Sequence, residues 1–222
     1  MPNLDIIHEN NDFIVVNKTA GLISEKSPFE DITIESLVHT HILKSKKKPY
    51  IGVIHRLDRV TSGVLVFAKK KSVLVAFNEL FSSRKVQKTY LAVVKNKPAE
   101  DKGILQNFLI KNYKEKRADI VASKSKEALQ CSLSYEVIDQ NNYGYLIEVK
   151  PKTGRFHQIR AQLAHLGSPI LGDDKYGSKE VYAPLSVCLH AWKLTYHKPD
   201  TNEQITFEAP LPKNAQWTFD KV

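Results

Sequence analysis

Cysteine is scarce in this sequence, with only Cys131 and Cys188 among 222 residues. Two cysteines cannot build the disulfide framework of a small secreted scaffold. Neither has a second cysteine close to it in the sequence, which argues against a zinc knuckle. We therefore predict two buried, inert thiols.

Long apolar runs are missing as well. Runs such as residues 64–68 fall far short of the roughly 20 residues that a membrane-spanning helix requires. The opening residues, MPNLD, provide neither the basic nor the apolar segment of a secretory signal. These absences predict a soluble, cytoplasmic protein with no membrane partner.

Positive charge, in contrast, is abundant. Lys and Arg number 33 against 24 Asp and Glu, which gives a net charge of +9. Such a surplus attracts polyanions, above all nucleic acids. The basic residues are clustered at Lys44, Lys46, Lys47 and Lys48, at Lys69, Lys70 and Lys71, and at Lys111, Lys114, Lys116 and Arg117. One such cluster is typical of a solvated loop, whereas several on one small chain favour a phosphate-binding surface.

The apolar pattern predicts an α+β fold with many strands and three main helices. Predicted strands cover residues 12–18, 51–57, 64–68, 86–94, 104–110, 129–138, 143–149, 186–190, 193–197 and 204–207. Predicted helices cover residues 31–43, with Asp31 as N-cap, and residues 72–81. A third helix is predicted between Thr153, as N-cap, and Gly167, because an apolar stripe has helical spacing at Phe156, Ile159, Leu163 and Leu166.

A candidate reactive group lies where the predicted strand 51–57 runs into a polar turn. The sequence there is HRLDRVTSG, residues 55–63, so that Asp58 lies between Arg56 and Arg59. Two nearby guanidinium groups favour the ionised carboxylate. Two interpretations are open: Asp58 is a catalytic carboxylate, or it caps the turn through the backbone N–H groups of Thr61 or Ser62.

This segment resembles the signature of the RluA-type RNA pseudouridine synthases. Four more segments resemble that family's motifs in the same order: FIVVNK at 13–18, KTYLAVV at 88–94, KTGRFHQIR at 152–160 continuing to LGSPILGD at 166–173, and, more weakly, LHA at 189–191. Several ordered motifs along one chain are far more specific than a lone short pattern.

The resemblance implies an enzyme that isomerises a specific uridine in rRNA or tRNA to pseudouridine. It implies Asp58 as the catalytic aspartate, Tyr90 as the aromatic ring stacked on the base, and Arg160 as the arginine that pairs with the aspartate. An ionised carboxylate suits this chemistry, because breaking a glycosidic bond develops positive charge on the sugar. Whether it attacks the sugar, attacks C6 or deprotonates the sugar stays open.

The target uridine must leave the RNA stack and enter the site, at a cost of a few kcal/mol. Arg56 is a candidate to fill the vacated stack or to hold a phosphate. His55 is predicted to orient the site by a hydrogen bond near Asp58, and Arg59 and Thr61 are predicted to contact substrate from the same segment. Leu189 is either an apolar wall of the uracil pocket or a core strand residue.

The resemblance also implies the architecture: one pseudouridine synthase catalytic domain over residues 1–222, α+β, with a mixed, largely antiparallel β-sheet flanked by helices and a central active-site cleft. It implies no cofactor and no metal, and we expect a monomer. The first motif begins near residue 12, so we expect no separate N-terminal RNA-binding domain. Three positions depart from the family pattern, Thr19, Phe156 and Gln162, and we expect them to affect the choice of RNA site rather than the chemistry.

Two other functions agree less well with the sequence. An RNA-binding module that had lost activity would lack Asp58, Tyr90 or Arg160, whereas all three are present. A carboxylate-based glycosidase would favour two acidic residues across a cleft and a less basic chain. A single carboxylate among arginines argues against it.

Overall fold

The computed structural model describes residues 3–222, which form an α+β structure. In chain order its helices and strands are β1 (Ile6–Glu9), β2 (Phe13–Lys18), α1 (Ile34–Leu43), β3 (Gly52–Val53), β4 (Ser62–Ala68), α2 (Lys71–Ser82), β5 (Val86–Val94), β6 (Lys102–Asn112), β7 (Arg117–Val121), β8 (Leu129–Asn141), β9 (Gly144–Pro151), α3 (Gln158–His165), β10 (Leu189–His197) and β11 (Gln204–Glu208). Short 3₁₀ turns lie at Asp174–Tyr176 and Ala215–Trp217. The α+β class, with three main helices and a largely antiparallel sheet, is confirmed. In residues 3–222 no helix is long and apolar enough to cross a membrane.

The described chain divides into two compact units. Unit 1 takes in the residues up to Lys88 together with Ala191–Leu211, and unit 2 takes in Thr89–His190 together with Pro212–Val222. The single catalytic domain over residues 1–222 stays a prediction.

Unit 1 is a sheet with helices α1 and α2. Its strands β1, β2 and β4 are neighbours in that order, with β3 paired to β4 and β11 paired to β10. Phe77 and Leu80 of α2 pack with Val15 and Val66 of the sheet in one buried apolar cluster. Burial of these large side chains supplies the main driving force for folding of this unit.

Unit 2 is an antiparallel sheet in the order β5-β9-β8-β6-β7. Helix α3 contributes Ala161 to a buried cluster with Leu109, Ala118 and Cys131. Three different strands therefore fix the position of α3.

Several predicted boundaries are wrong. The predicted strand 51–57 is paired only at Gly52–Val53, because the side chain of Ser24, rather than a neighbouring strand, bonds the backbone of Leu57. The predicted strands 186–190 and 193–197 are replaced by the single strand β10, and β1 and β7 were not predicted.

Both predicted helix caps at Asp31 and Thr153 are also wrong. Helix α1 is capped by Thr33, whose hydroxyl accepts the N–H of Ser36 at 3.1 Å while the hydroxyl of Ser36 accepts the N–H of Thr33 at 2.9 Å. Thr153 instead accepts the N–H of Ser132 at 3.0 Å, and α3 begins only at Gln158.

Gly63 marks a close approach of two backbones in unit 1. Its φ is +114°, and a Cβ there would lie 2.2 Å from the carbonyl oxygen of Ala191. We expect Gly63→Ala to lower the free energy of unfolding by more than about 2 kcal/mol, because it adds a backbone clash to the strain of a left-handed φ. Gly167→Ala is the matched control, since its φ is +89° but a Cβ there would meet no described atom within 4 Å. Equal urea midpoints for the two variants would contradict the clash.

Candidate active site

Asp58 lies in a loop between β3 and β4 whose backbone is fixed by buried side chains of unit 1. The hydroxyl of Ser24 accepts the N–H of Leu57 at 3.1 Å and donates to its carbonyl at 2.9 Å. The N–H of Gly21 donates to the carbonyl of Arg59 at 2.8 Å. These bonds hold the main chain on both sides of Asp58.

Lys18 is the strongest of these anchors. It ends β2 fully buried, and its ammonium donates to the carbonyls of Thr19, Arg59 and Thr61 at 3.0, 3.0 and 2.8 Å. Burial lowers its pKa to about 7, the charge of Asp58 opposes that shift, and the charge of Arg59 adds to it. In the sequence, the signal for this role is a lysine that ends the apolar run in FIVVNK.

The low pKa of Lys18 predicts a pH-dependent stability. With a pKa of 10.5 when unfolded and about 7 when folded, the unfolded chain binds more protons between those values, so the free energy of unfolding should rise with pH there. Lys18→Met should remove this rise, as urea midpoints across the window would show. Lys47→Met changes an exposed lysine of unit 1 and is the control. The same slope in wild type and Lys18→Met would contradict the assignment.

The turn after Asp58 is closed by main-chain atoms. The N–H of Thr61 donates to the carbonyl of Asp58 at 3.1 Å, so this N–H has a main-chain partner of its own. Thr61 is 2% exposed, and its hydroxyl oxygen has no hydrogen-bond partner within the part of the chain that the structure describes. Asp58 itself is partly exposed.

The arginines beside Asp58 are both ion-paired within unit 1. Arg56 is largely exposed and its Nη1 lies 2.5 Å from Oε1 of Glu25. Arg59 pairs with Glu30. An RNA phosphate that binds either guanidinium would therefore compete with a glutamate.

His55 is bonded to the scaffold of unit 1. Its Nε2 accepts the N–H of Val66 at 3.3 Å, and its ring stacks on Phe81 with the centroids 5.3 Å apart. Burial, reinforced by the charge of Lys88, lowers its pKa to about 3. His55 is consequently neutral at physiological pH and suited to orient the loop rather than to transfer protons.

The remaining predicted site residues belong to unit 2. Tyr90 is 8% exposed in β5, opposite Val149 of β9. Leu189 begins β10 and is 3% exposed, and its N–H donates to the carbonyl of Val187 at 2.7 Å. Both are therefore buried strand residues.

Arg160 is buried on α3 and forms a bidentate ion pair with the fully buried Asp173. Its Nε lies 2.7 Å from Oδ2 and its Nη2 lies 2.8 Å from Oδ1 of Asp173. Two parallel charge-assisted bonds fix the plane of the guanidinium. This role of Asp173 was not predicted, although the residue ends the motif LGSPILGD. Pairing of Arg160 with Asp58 stays a prediction.

A neutral histidine supports Arg160 from the other side. Nη1 of Arg160 donates to Nε2 of His157 at 2.9 Å, which leaves Nδ1 of His157 to donate to the hydroxyl of Tyr176 at 3.0 Å. Burial, followed by the charges of Arg160 and Lys175, lowers the pKa of His157 to about 3. The N–H of Ala118 donates to the same hydroxyl at 2.7 Å, so α3 and β7 are joined through polar groups.

The structure thus brings His55, Arg56, Asp58, Arg59 and Thr61 together on one loop of unit 1, and places Tyr90, Arg160 and Leu189 in unit 2. A carboxylate on a fixed loop can act as a nucleophile or base, and a fixed guanidinium can stabilise an anion. Among residues 3–222, no group of three His, Cys, Asp or Glu side chains is arranged to hold a metal ion.

Comparison with known proteins identifies the family. Residues 12–165 match the RNA pseudouridylate synthase family. The chain is 32% identical to tRNA pseudouridine synthase C of Vibrio parahaemolyticus over 98% of this chain and 94% of that protein. It is 34% identical to ribosomal large subunit pseudouridine synthase C of Rickettsia felis over 93% of this chain and 67% of that protein.

A solved structure shares the fold. Human RNA pseudouridylate synthase domain containing 4 superposes with a TM-score of 0.78 at 24% identity, covering 94% of this chain and 89% of that one. The family match over residues 12–165 and the two relatives above 30% identity confirm the resemblance drawn from the motifs. The chain belongs to the RNA pseudouridylate synthase family and is an enzyme that isomerises uridine to pseudouridine in RNA.

Proposed function

We propose that this enzyme modifies a specific uridine of tRNA or rRNA, with Asp58 as its catalytic carboxylate. The observation that carries the assignment is the loop of Asp58, which is held in place by bonds from Lys18 to the carbonyls of Arg59 and Thr61 and by two bonds between Ser24 and Leu57. A nucleophile or base must be held in position to react efficiently, and this loop supplies that constraint.

The proposed reaction balances without an oxidant, a reductant or water as a reactant. The bond from N1 of uracil to C1′ breaks, the base rotates, and a bond from C5 to C1′ forms. C5 then loses a proton and N1 gains one. Asp58 initiates the exchange by attacking C1′, by attacking C6 or by deprotonating the sugar.

Tyr90 and Arg160 take complementary parts in this proposal. The guanidinium of Arg160, oriented by Asp173 and His157, favours the ionised form of Asp58. The ring of Tyr90 stacks on the detached uracil, and its hydroxyl assists removal of the C5 proton. Leu189 is proposed as an apolar wall for the base, and His55 as the residue that orients the loop.

Recognition of RNA is assigned to basic side chains. Arg56 fills the vacated stack or holds a phosphate, and Arg59 and Thr61 contact substrate from the same loop. The exposure of Arg56 supports its role, because an incoming RNA chain can reach its guanidinium and compete with Glu25 for it. We further propose that the enzyme acts in the cytoplasm as a monomer and needs no cofactor.

The choice of RNA is tested by mapping pseudouridines in total RNA from cells with and without the gene. The Vibrio relative, matched over 94% of its length, is named for tRNA, so tRNA is the first RNA to examine. Loss of pseudouridine at one tRNA or rRNA position, restored by the wild-type gene, is the expected result. Identical maps in both strains would contradict the proposal.

Tyr90→Phe separates the two parts proposed for the tyrosine. The variant keeps the ring but loses the hydroxyl, so we expect RNA affinity to change less than about threefold while product formation slows by about 10²-fold, typical of a lost general acid or base. Single-turnover rates on the mapped RNA measure the effect. Tyr196→Phe, a buried tyrosine of unit 1, is the control. A wild-type rate for Tyr90→Phe would show that the hydroxyl is idle.

A further inference from the structure

Unit 2 displays aromatic rings next to basic side chains on its surface. The aromatic–basic cluster consists of Lys111 and Tyr113, at the end of β6, and of Arg155 and Phe156, just before α3. Tyr113 is 77% exposed and Phe156 is 41% exposed. Large aromatic side chains left in water often mark binding surfaces.

The ammonium of Lys111 lies close to both rings. Its Nζ is 4.7 Å from the ring centroid of Tyr113 and 5.0 Å from that of Phe156. Phe156 also stacks on His157, with the centroids 3.8 Å apart. Phe156 is therefore already engaged, while most of the ring of Tyr113 faces solvent.

The hairpin that carries Tyr113 is fixed by polar bonds. The side-chain oxygen of Asn112 accepts the N–H of Glu115 at 3.0 Å, and its amide donates to Asp119 at 2.8 Å. Lys175 donates to the carbonyl of Glu115 at 3.2 Å. A surface fixed before binding loses less conformational entropy when a ligand arrives.

The space beside the cluster suits one nucleotide. A surface cavity of about 500 Å³ is lined by the cluster together with apolar residues such as Leu109 and Leu129 and one acidic residue, Glu127, and its volume is within the roughly 300–1,000 Å³ of small-ligand sites. Residues 111–117 contain four basic side chains and one acidic side chain, a local net charge of +3. Flat rings interleaved with cations are the pattern that binds unpaired nucleotides, by base stacking and phosphate contact.

The cluster also adjoins the proposed catalytic arginine within unit 2. Phe156 stacks on His157, and His157 accepts a hydrogen bond from Arg160 at 2.9 Å. A nucleotide that contacts Phe156 in the cluster would therefore be separated only by that ring from His157, the residue that supports Arg160.

We propose that the aromatic–basic cluster binds one unpaired nucleotide of the RNA substrate, with the base stacked on Tyr113 and the phosphate on Lys111. The proposal rests on the proposed function in taking RNA as the ligand. It assigns the cluster a part in selecting unpaired over paired RNA, separate from the reacting uridine.

Two fluorescent RNA probes test this assignment: a 12-nucleotide oligouridylate and a 12-base-pair RNA duplex. We expect Tyr113→Ala to weaken binding of the oligouridylate by about 5- to 150-fold, the loss typical of one stacked base, and to leave duplex binding within about twofold. Tyr113→Trp keeps a stacking face and should bind both probes like the wild type. Tyr143→Ala, which changes a 40% exposed tyrosine between β8 and β9, is the matched control and should change neither affinity.

Lys111→Gln tests the phosphate contact on its own. For oligouridylate binding, the slope of log affinity against log salt concentration should become shallower by about 0.7, the value for one single-strand phosphate. An unchanged slope would overturn the phosphate contact. Equal losses for both probes in Tyr113→Ala, or no loss for either, would overturn the stacking site.

These outcomes are distinguishable from failure of the proposed function, because the binding assay needs no turnover. RNA bound through Tyr113 without any pseudouridine formed would contradict the proposed catalytic roles alone. Failure of the wild-type protein to bind either probe would overturn the cluster proposal. Urea midpoints for each variant verify that it folds.

Discussion

Asp58→Asn is expected to reduce product formation by at least about 10⁴-fold, the scale on which loss of a central catalytic group acts. Asparagine has nearly the same shape but carries no charge, so it can neither form the proposed bond nor accept the proton. The loop is held through the main chain by Lys18 and Ser24, and the variant should keep its fold. Single-turnover assays on the mapped RNA, with affinity measured in parallel, give the comparison.

The matched control for this variant is Asp31→Asn. Asp31 is an exposed aspartate of unit 1 that precedes the capping residue of α1, and its substitution should leave the rate unchanged. RNA affinity of the Asp58→Asn protein should stay within about threefold of wild type, since phosphate contacts dominate affinity. Appreciable turnover by Asp58→Asn would end the assignment of Asp58 as the reactive group.

Asp173→Asn is expected to lower the free energy of unfolding by about 3–5 kcal/mol, the range for breaking one side of a buried ion pair. Asp173 is fully buried and holds Arg160 through two bonds, so the variant deprives a buried guanidinium of its bidentate carboxylate. Product formation should fall with it, because the orientation of Arg160 depends on this carboxylate. Urea unfolding and single-turnover rates measure the two effects.

A double variant separates stability from chemistry. Arg160→Met with Asp173→Leu removes both charges and should recover much of the lost stability, since apolar replacement of a whole buried pair is often tolerated. Product formation should not recover with the stability, because the double variant lacks the guanidinium of Arg160. This account would be contradicted if Asp173→Asn lowered the free energy of unfolding by less than about 1 kcal/mol, or if the double variant were active.

Local pattern was sufficient for much of the fold. Strands β2 and β5 contain the apolar runs FIVV and YLAVV, and polar residues next to each run indicate where it stops. Local pattern did not predict that α3 begins only at Gln158. Thr153 is a good capping residue, but its hydroxyl accepts the N–H of Ser132, 21 residues earlier in the chain. Propensity cannot anticipate a competing tertiary partner.

The candidate site, like the fold, could be predicted from the sequence only in part. The segment around Asp58 could be predicted, because the reactive residue and its flanking arginines are contiguous in the sequence. Lys18 and Asp173 could not be assigned, since their partners are carbonyls 41 and 43 residues away and a guanidinium 13 residues away. Whether a charged side chain is buried, and against what, is decided only when the chain folds.

The anchoring of the Asp58 loop by Lys18 has a consequence for heat resistance. One side chain at the end of β2 holds two carbonyls on the far side of the loop, so movement of the loop is coupled to its sheet. We therefore expect warming to loosen the loop and β2 together. Thermal inactivation should coincide with melting of that strand instead of preceding it.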